Sequence, residues 1–440
     1  MAIRETWATR IGFILAAVGS AVGLGNIWRF PFLTAESGGA AFLVAYLFLV
    51  AVIGLPVMLV EFVIGRESKQ NVVDAFPEIG APTWKFIGAI GALAGFVILS
   101  YYSVVGGWVI QYMVGSLTGG YAGNAEAFFG SAAEGTNALA YDLLFMAIVA
   151  AIVSFGVRDG LERAAKVMIP SVVGLLVLLA AYGATLSGAS EGYAYYLSPD
   201  LSTLVGDAIA LLPDAAGQAF FTLSLGMGVM ITYASYLGED RNMLRDSLLI
   251  VVVDTSIAIL AGLAVFPFLF AQGVDPGTGG VGTTFVGLAS AFGSLPAGQV
   301  VGFVFFAMLF LAALTSAFSI LEVIVSFTID TFDVDRKPAT VAIAAVIFLV
   351  GVPTAMSLDY LTLYDAIANR ILLIGGGLLL AIFGGWFYAS GAREELQKGM
   401  PGGETLTTAW IWILRIPVVL VLAYVLYTGI IEVAGIVAGM

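Results

Sequence analysis

Two short stretches of this chain combine residue types able to expose backbone hydrogen-bonding groups where a regular helix would hide them. One reads Gly19-Ser20-Ala21-Val22-Gly23-Leu24-Gly25-Asn26 and the other Phe221-Thr222-Leu223-Ser224-Leu225-Gly226-Met227-Gly228. Glycine lacks a Cβ and tolerates unwound backbone, so both stretches can leave N–H and C=O groups unpaired. Unpaired amides at the start of a helical segment attract a carboxylate, and freed carbonyls attract a cation. Asn26 sets a side-chain oxygen beside the first stretch, and Thr222 a hydroxyl beside the second. Glycines in apolar helices also serve simply to let helices pack closely. Two such stretches, each flanked by an oxygen ligand, favour a site over packing alone.

Further candidates lie elsewhere along the chain. Ala312, Thr315, Ser316, Ser319 and Ile320 fall on one face of a helix and form a narrow polar stripe in an apolar segment. Its hydroxyls can ligate a hard cation; equally, they can bond their own helix backbone or tie two helices together. Asp254 stands inside an apolar run, where an ionised carboxylate is costly and pairs with a cation or takes a proton. Glu61 and Glu322 are also acids within apolar runs, and read first as ties between helices. Ile98 and Tyr102 share a helix face, and Phe221 adjoins Thr222. Aromatic side chains of this kind usually pack, and only their association with the glycine-rich stretches makes them candidates.

The elements that must position these residues follow from hydropathy. Of 440 residues 60% are hydrophobic and 11% charged, and the mean hydropathy is +1.02. A water-soluble fold needs far more polar surface. The apolar residues come in eleven runs: Ile11–Leu33, Ala41–Gly65, Phe86–Leu117, Tyr141–Gly156, Ala164–Ser187, Gly206–Tyr236, Met243–Ala271, Val300–Thr331, Ala339–Met356, Leu363–Ser390 and Ala409–Val433. These lengths suit helices crossing a bilayer, and no sustained polar–apolar alternation suggests a barrel. The expected fold is an all-α integral membrane protein of about eleven transmembrane helices. Its first and sixth helices are broken, and because they lie five spans apart they cross in opposite directions. Paired broken helices in two inverted halves point to a solute site near mid-membrane.

Charge sets the orientation. Fourteen of the seventeen Lys and Arg residues fall at the N-terminus or in alternate loops, while the opposite loops Thr118–Ala140 and Gly188–Val205 carry only acids. The basic side is expected to face the cytoplasm of a cell-membrane protein, with the N-terminus inside and the C-terminus outside. No small-residue cleavage site follows the first apolar run, which is expected to remain in the mature chain. With no Cys and no His, thiolate metal sites, thiol redox chemistry and Ser-His-Asp triads are excluded. A net charge of −13 without a basic cluster argues against nucleic acid as a partner. No nucleophile–base pair suggests an enzyme.

The run from Trp7-Ala8-Thr9-Arg10 through Ala21-Val22-Gly23-Leu24-Gly25-Asn26 to Arg29-Phe30-Pro31 closely resembles the opening of the neurotransmitter:sodium symporters, and most of all their bacterial and archaeal amino-acid transporters. The resemblance resumes at Glu36-Ser37-Gly38-Gly39, at Gln218-Ala219-Phe220-Phe221-Thr222-Leu223-Ser224-Leu225-Gly226 and at Leu314-Thr315-Ser316, in order along nearly the whole chain. It implies two inverted five-helix repeats, residues 1–187 and 188–390, followed by a cytoplasmic loop and an eleventh helix over 391–440. It also implies one amino-acid substrate held with two sodium ions, Na+ being the only cofactor. By matched position, the first sodium would take the Ala21 carbonyl, Asn26, Thr222, Asp254 and the substrate carboxylate. The second would take the carbonyls of Gly19, Val22 and Ala312 with the hydroxyls of Thr315 and Ser316.

The same resemblance assigns the substrate contacts. The carboxylate would meet the Leu24 and Gly25 amides and the Tyr102 hydroxyl. The amine would meet carbonyls of Ala21, Phe221 and Thr222, with Ser224 nearby. Ile98, Phe221, Met227, Ser316 and Ile320 would line the side-chain pocket. Amine-transporting members carry an Asp where this chain has Gly23, which leaves room for a substrate bearing its own carboxylate. An apolar or aromatic amino acid is the expected cargo, and Met227 can adapt to several side-chain shapes. Asp254 stands where many members have Asn, so its fixed charge would do what bound chloride does in animal members, and no chloride requirement is expected. Arg29 with Asp365 would close the outer side. Arg4 with Asp330, under Trp7 and near Tyr236, would close the inner side. Gly160 and Pro170 have the spacing that marks an unwinding helix end in bacterial relatives, and Arg370 has no assignable partner. The expected function is sodium-coupled import of hydrophobic or aromatic amino acids by alternating access. The alternative is a proton-coupled amino-acid transporter or sensor of the same fold.

Overall fold

Apolar runs surrounded by lipid must close their backbone hydrogen bonds within themselves, and runs of this length do so as helices. In the computed structural model, which describes residues 7–200, 202, 206–238, 241–271, 273, 282–400 and 402–440, the main elements are all helical. The first part of the chain forms α1 (Arg10–Ala21), α2 (Gly25–Glu36), α3 (Ala40–Ser68), α4 (Pro82–Thr118), α5 (Ala125–Ala133), α6 (Gly135–Val153), α7 (Val157–Gly183) and α8 (Ala189–Leu197). The second part forms α9 (Ala208–Thr222), α10 (Val229–Ser235), α11 (Met243–Ala271), α12 (Thr283–Ser294), α13 (Gly298–Phe332), α14 (Arg336–Met356), α15 (Leu358–Phe387), α16 (Ala389–Gln397) and α17 (Glu404–Gly439).

Among the described residues nine helices are long and apolar enough to cross a membrane, and α1 with α2 makes a tenth as a pair bent by 47°. The sixth expected run is divided as well. It consists of α9 and α10, of 15 and 7 residues, and neither crosses a bilayer alone. The all-helical membrane architecture with two broken helices is therefore the one the apolar pattern called for.

Boundaries moved where charge and polarity misled. α7 starts at Val157 rather than Ala164, because exposed Arg158, Asp159 and Arg163 occupy its first turns instead of a loop. α6 starts at Gly135 rather than Tyr141, with a polar first turn. α5, α8 and α12 were not expected at all; each is a short helix in a segment without the length to span.

The broken pieces sit in the middle. α13 packs along α4 and α7, α1 lies against α7, α11 and α13, and α10 lies against α3. Within its most apolar window α4 is 67% buried by protein, against 33% for α17, so α4 is central and α17 peripheral. Gly226 and Gly228, on either side of Met227, have φ of 75° and 77°. Side chains rarely adopt such angles, which is why glycine lets the chain turn between α9 and α10.

Candidate functional site

α1 ends when Val22 turns extended, with φ −77° and ψ 102°. The amides freed by that turn are caught by side chains. The Gly23 N–H donates to Asn26 Oδ1 at 3.1 Å, and the Leu24 N–H donates to the Tyr102 hydroxyl at 3.2 Å. An amide side chain reaching back three residues onto the helix start is a capping arrangement, so Asn26 both begins α2 and holds the break open. A Cβ on Gly23 would overlap the Ser316 hydroxyl and lie 3.0 Å from the Tyr102 oxygen.

At the second break the chain tightens after Thr222. The Ser224 N–H donates to the Phe221 carbonyl at 3.2 Å and the Leu225 N–H to the Phe220 carbonyl at 2.9 Å. Ser224 itself has φ of 53°. The Gly226 N–H, left without a helical acceptor, donates to Glu61 Oε1 at 2.7 Å. Glu61 thus ties α3 to the break as a fully buried carboxylate.

Between the two breaks lies a small cavity lined by Ser20, Ala21, Gly23, Gly25, Tyr102, Phe221, Ser224, Met227, Ser316 and Ile320. Leu24, Ile98 and Thr222 are buried but are not among the lining residues. Asp254 is completely buried. Its carboxylate accepts from Asn26 Nδ2 at 2.8 Å and from the Thr222 hydroxyl at 3.2 Å. Among the described residues no ion pair reaches it. Asn26, Thr222 and Asp254 therefore form one buried polar cluster around a carboxyl group. On the opposite side of α1, the Thr315 hydroxyl donates to the Ala312 carbonyl at 2.9 Å and the Val22 carbonyl at 3.2 Å, and a Cβ on Gly19 would lie 3.4 Å from Thr315 Cβ. Gly19, Val22 and Ala312 thus each lie close to Thr315. The Ser316 hydroxyl instead turns to the Ser20 carbonyl at 2.9 Å.

Two further clusters flank the broken helices. In the first, Arg29 pairs with Asp365 at 2.7 Å, and its guanidinium carbon lies 5.1 Å above the Phe221 ring. Tyr101 and Asn369 also donate to Asp365 Oδ1, at 2.9 and 2.7 Å. In the second, the Trp7 indole donates to the Tyr233 carbonyl at 3.0 Å and packs edge-on against Tyr233 and Tyr236. The Tyr236 hydroxyl donates to Glu322 at 3.0 Å, and Arg336 forks onto the same carboxylate at 2.7 and 3.1 Å. The expected Arg4–Asp330 pair lies outside the described residues at Arg4; Asp330 accepts from Asn71 at 3.3 Å. A further ion pair on this side joins Arg10 to Asp246 at 2.8 Å, and Arg241 meets the same carboxylate at 2.5 Å.

Several residues here escaped the sequence reading. Ser20 is a junction: its carbonyl accepts from both Ser224 and Ser316, and its hydroxyl donates to Ser224 at 3.0 Å. It lay inside the first glycine-rich stretch, where its carbonyl had no signal of its own. Gln218 donates to the Gly25 carbonyl at 2.9 Å and so joins the two broken helices; a lone amide in an apolar run was the available clue. Asn369 sits one helical turn beyond Asp365, a spacing that predicts contact. Arg370, which had no assignable partner, pairs with Asp214 at 2.6 Å and Glu432 at 3.1 Å. That ties α15 to α9 and α17.

Comparison with known proteins bears on this geometry. The model of the Sodium:neurotransmitter symporter family matches residues 4–126 and 129–436. An uncharacterized sodium-dependent transporter of Bacillus subtilis, YhdH, is 35% identical over 97% of this chain and 98% of its own length. An uncharacterized sodium-dependent transporter of Haemophilus influenzae is 34% identical over 90% of this chain and 92% of its own. The crystal structure of MhsT in complex with L-phenylalanine superposes with a TM-score of 0.89 at 40% identity, covering 97% of this chain and all of that one.

Proposed function

Because the chain belongs to the Sodium:neurotransmitter symporter family, whose members are membrane transporters and not enzymes, we propose that it imports hydrophobic or aromatic amino acids together with sodium, by alternating access and without a chloride requirement. The observation that carries this reading is Asp254. A buried carboxylate whose partners among the described residues are the Asn26 amide and the Thr222 hydroxyl is short of one positive charge. Hard oxygen ligands around such a charge suit a small monovalent cation. The carboxylate of an amino acid resting on the Leu24 and Gly25 amides would complete that shell, so cargo and ion bind as a unit. A second sodium would use the carbonyls of Gly19, Val22 and Ala312 with Thr315 and Ser316.

The cavity wall supports the choice of cargo. Phe221, Met227 and Ile320 bring no charge to the side-chain end, and the likeness to MhsT in complex with L-phenylalanine is in keeping with that. Residues 1–187 and 188–390 are read as the two inverted repeats, with 391–440 following. The excess of Lys and Arg in alternate loops supports an N-terminus in the cytoplasm and a C-terminus outside, in the cell membrane. Arg29–Asp365 would break when the outer path opens, and the contacts of Trp7 when the inner path opens.

Radiolabelled phenylalanine uptake into proteoliposomes tests the reading. An inward sodium gradient in chloride-free buffer is expected to drive accumulation, whereas potassium with an inward proton gradient is not. Accumulation driven by protons alone would place a proton on Asp254 and overturn sodium coupling. Tyr102→Phe is expected to weaken amino-acid binding by about 10- to 100-fold, the loss that follows removal of a hydrogen bond to a charged group. Equilibrium binding in saturating sodium checks it.

A further inference from the structure

Glu162 is a fully buried carboxylate on the cytoplasmic side that the substrate and ion sites leave unused. It closes the π-helical turn Val157–Glu162 at the start of α7, directly after Gly156. Its side chain leaves α7 and enters the N-terminal end of α1. Oε2 accepts from the Ala8 N–H at 2.8 Å, and Oε1 accepts from the Thr9 hydroxyl at 3.0 Å and from Lys166 Nζ at 2.6 Å. Thr9 in turn caps α1 by accepting from the Gly12 N–H at 3.0 Å. Position 12 has no side chain to spare: a Cβ there would overlap the Glu162 carboxylate.

We propose that Glu162 is a positioning residue for transport, a carboxylate clamp that holds the lead into α1 against α7 and so keeps the cytoplasmic path shut. The proposal rests on the alternating-access reading above. A negative charge at a helix N-terminus meets the positive end of the helix dipole, so the clamp stabilises α1 where it begins. Trp7, whose ring packs against Tyr233 and Tyr236, is the residue just before Ala8. Holding Ala8 and Thr9 therefore holds the aromatic plug as well. Release does not strand the charge: Lys166 lies on the same helix one turn away, is half exposed to water, and stays paired when α1 moves off. A clamp whose carboxylate keeps a partner in both states can open and close repeatedly. The π-helical turn that carries it is a form frequent at functional sites.

The chain has no cysteine, so a single introduced thiol reports without background. Ser319 lies on α13 one turn beyond Thr315 towards the cytoplasm, is fully buried, and accepts from the Tyr233 hydroxyl at 2.6 Å. A membrane-impermeant maleimide applied from the cytoplasmic side to S319C protein reads how often that path opens. Glu162→Gln and, independently, Gly12→Ala are expected to raise the labelling rate roughly tenfold in sodium without amino acid, since each replaces or displaces charge-assisted hydrogen bonds. Adding phenylalanine is expected to slow labelling in both variants, which a merely loosened fold would not do. Labelling within twofold of the S319C parent in either variant would overturn the clamp, as would acceleration that phenylalanine cannot suppress. Labelling needs no uptake, so a parent that fails to accumulate amino acid on a sodium gradient counts against the symport reading and leaves this measurement intact.

Discussion

Gly23→Asp is expected to abolish amino-acid binding, with a loss on the order of 1,000-fold. Any Cβ at this position overlaps the Ser316 hydroxyl and crowds Tyr102. A carboxylate there would also occupy the room that the cargo's own carboxylate needs beside the Leu24 amide, and two like charges a few ångströms apart in a buried site repel by about 4 kcal/mol. The backbone is not the difficulty, because Gly23 does not have the positive φ that excludes side chains. The variant should therefore fold, and a shift of affinity towards amines that lack a carboxylate is the expected companion effect. Gly23→Ala, which adds bulk without charge, should lose less. Equilibrium binding of phenylalanine to all three proteins in saturating sodium decides the matter, and a Gly23→Asp protein that binds within threefold of wild type contradicts the assignment.

The second large effect concerns the charge of Asp254 at the proposed sodium site. Asp254→Asn keeps the shape and the hydrogen-bonding reach toward Asn26 and Thr222 but removes the negative charge. Sodium-driven uptake in chloride-free buffer is expected to fall on the order of 100-fold, since a full charge in direct contact with the ion is worth several kcal/mol in a buried site. Chloride is expected to restore a large part of the loss by supplying a mobile charge near the same ion. Wild-type uptake should be indifferent to chloride. Uptake by both proteins in gluconate and in chloride measures this. A steep chloride requirement in the wild type, or a variant unaffected in gluconate, would rule out the role given to Asp254.

What could be read from the chain and what could not divide along a physical line. The two glycine-rich stretches carry their meaning locally: Asn26 reaches back to Gly23 across three residues, and the turn at Gly226 and Gly228 follows from glycine's own backbone. The stripe from Ala312 to Ile320 needed only helical periodicity, and Thr315 does meet Ala312 and Val22. Partnerships across the fold had no such signal. Arg370 finds Asp214 156 positions away, and Glu162 finds Ala8 154 positions away. Nothing in either neighbourhood names its partner. The beginning of α7 was misplaced for a related reason: Arg158, Asp159 and Arg163 look like a loop by hydropathy, yet at a membrane boundary their side chains reach water from within a helix. Gly23 and Gly12 were legible as small residues, but what fills the space beside each, Ser316 in one case and Glu162 in the other, is a property of packing.

The most direct test of the whole account is reciprocal binding at equilibrium. Phenylalanine affinity measured over a range of sodium, and sodium affinity measured over a range of phenylalanine, should rise by the same factor if, as proposed, the cargo carboxylate and the cation share one shell at the Asn26–Thr222–Asp254 cluster. That factor is expected to collapse towards one in Asp254→Asn without chloride. Phenylalanine binding equally tight in sodium and in potassium would contradict the account at its centre.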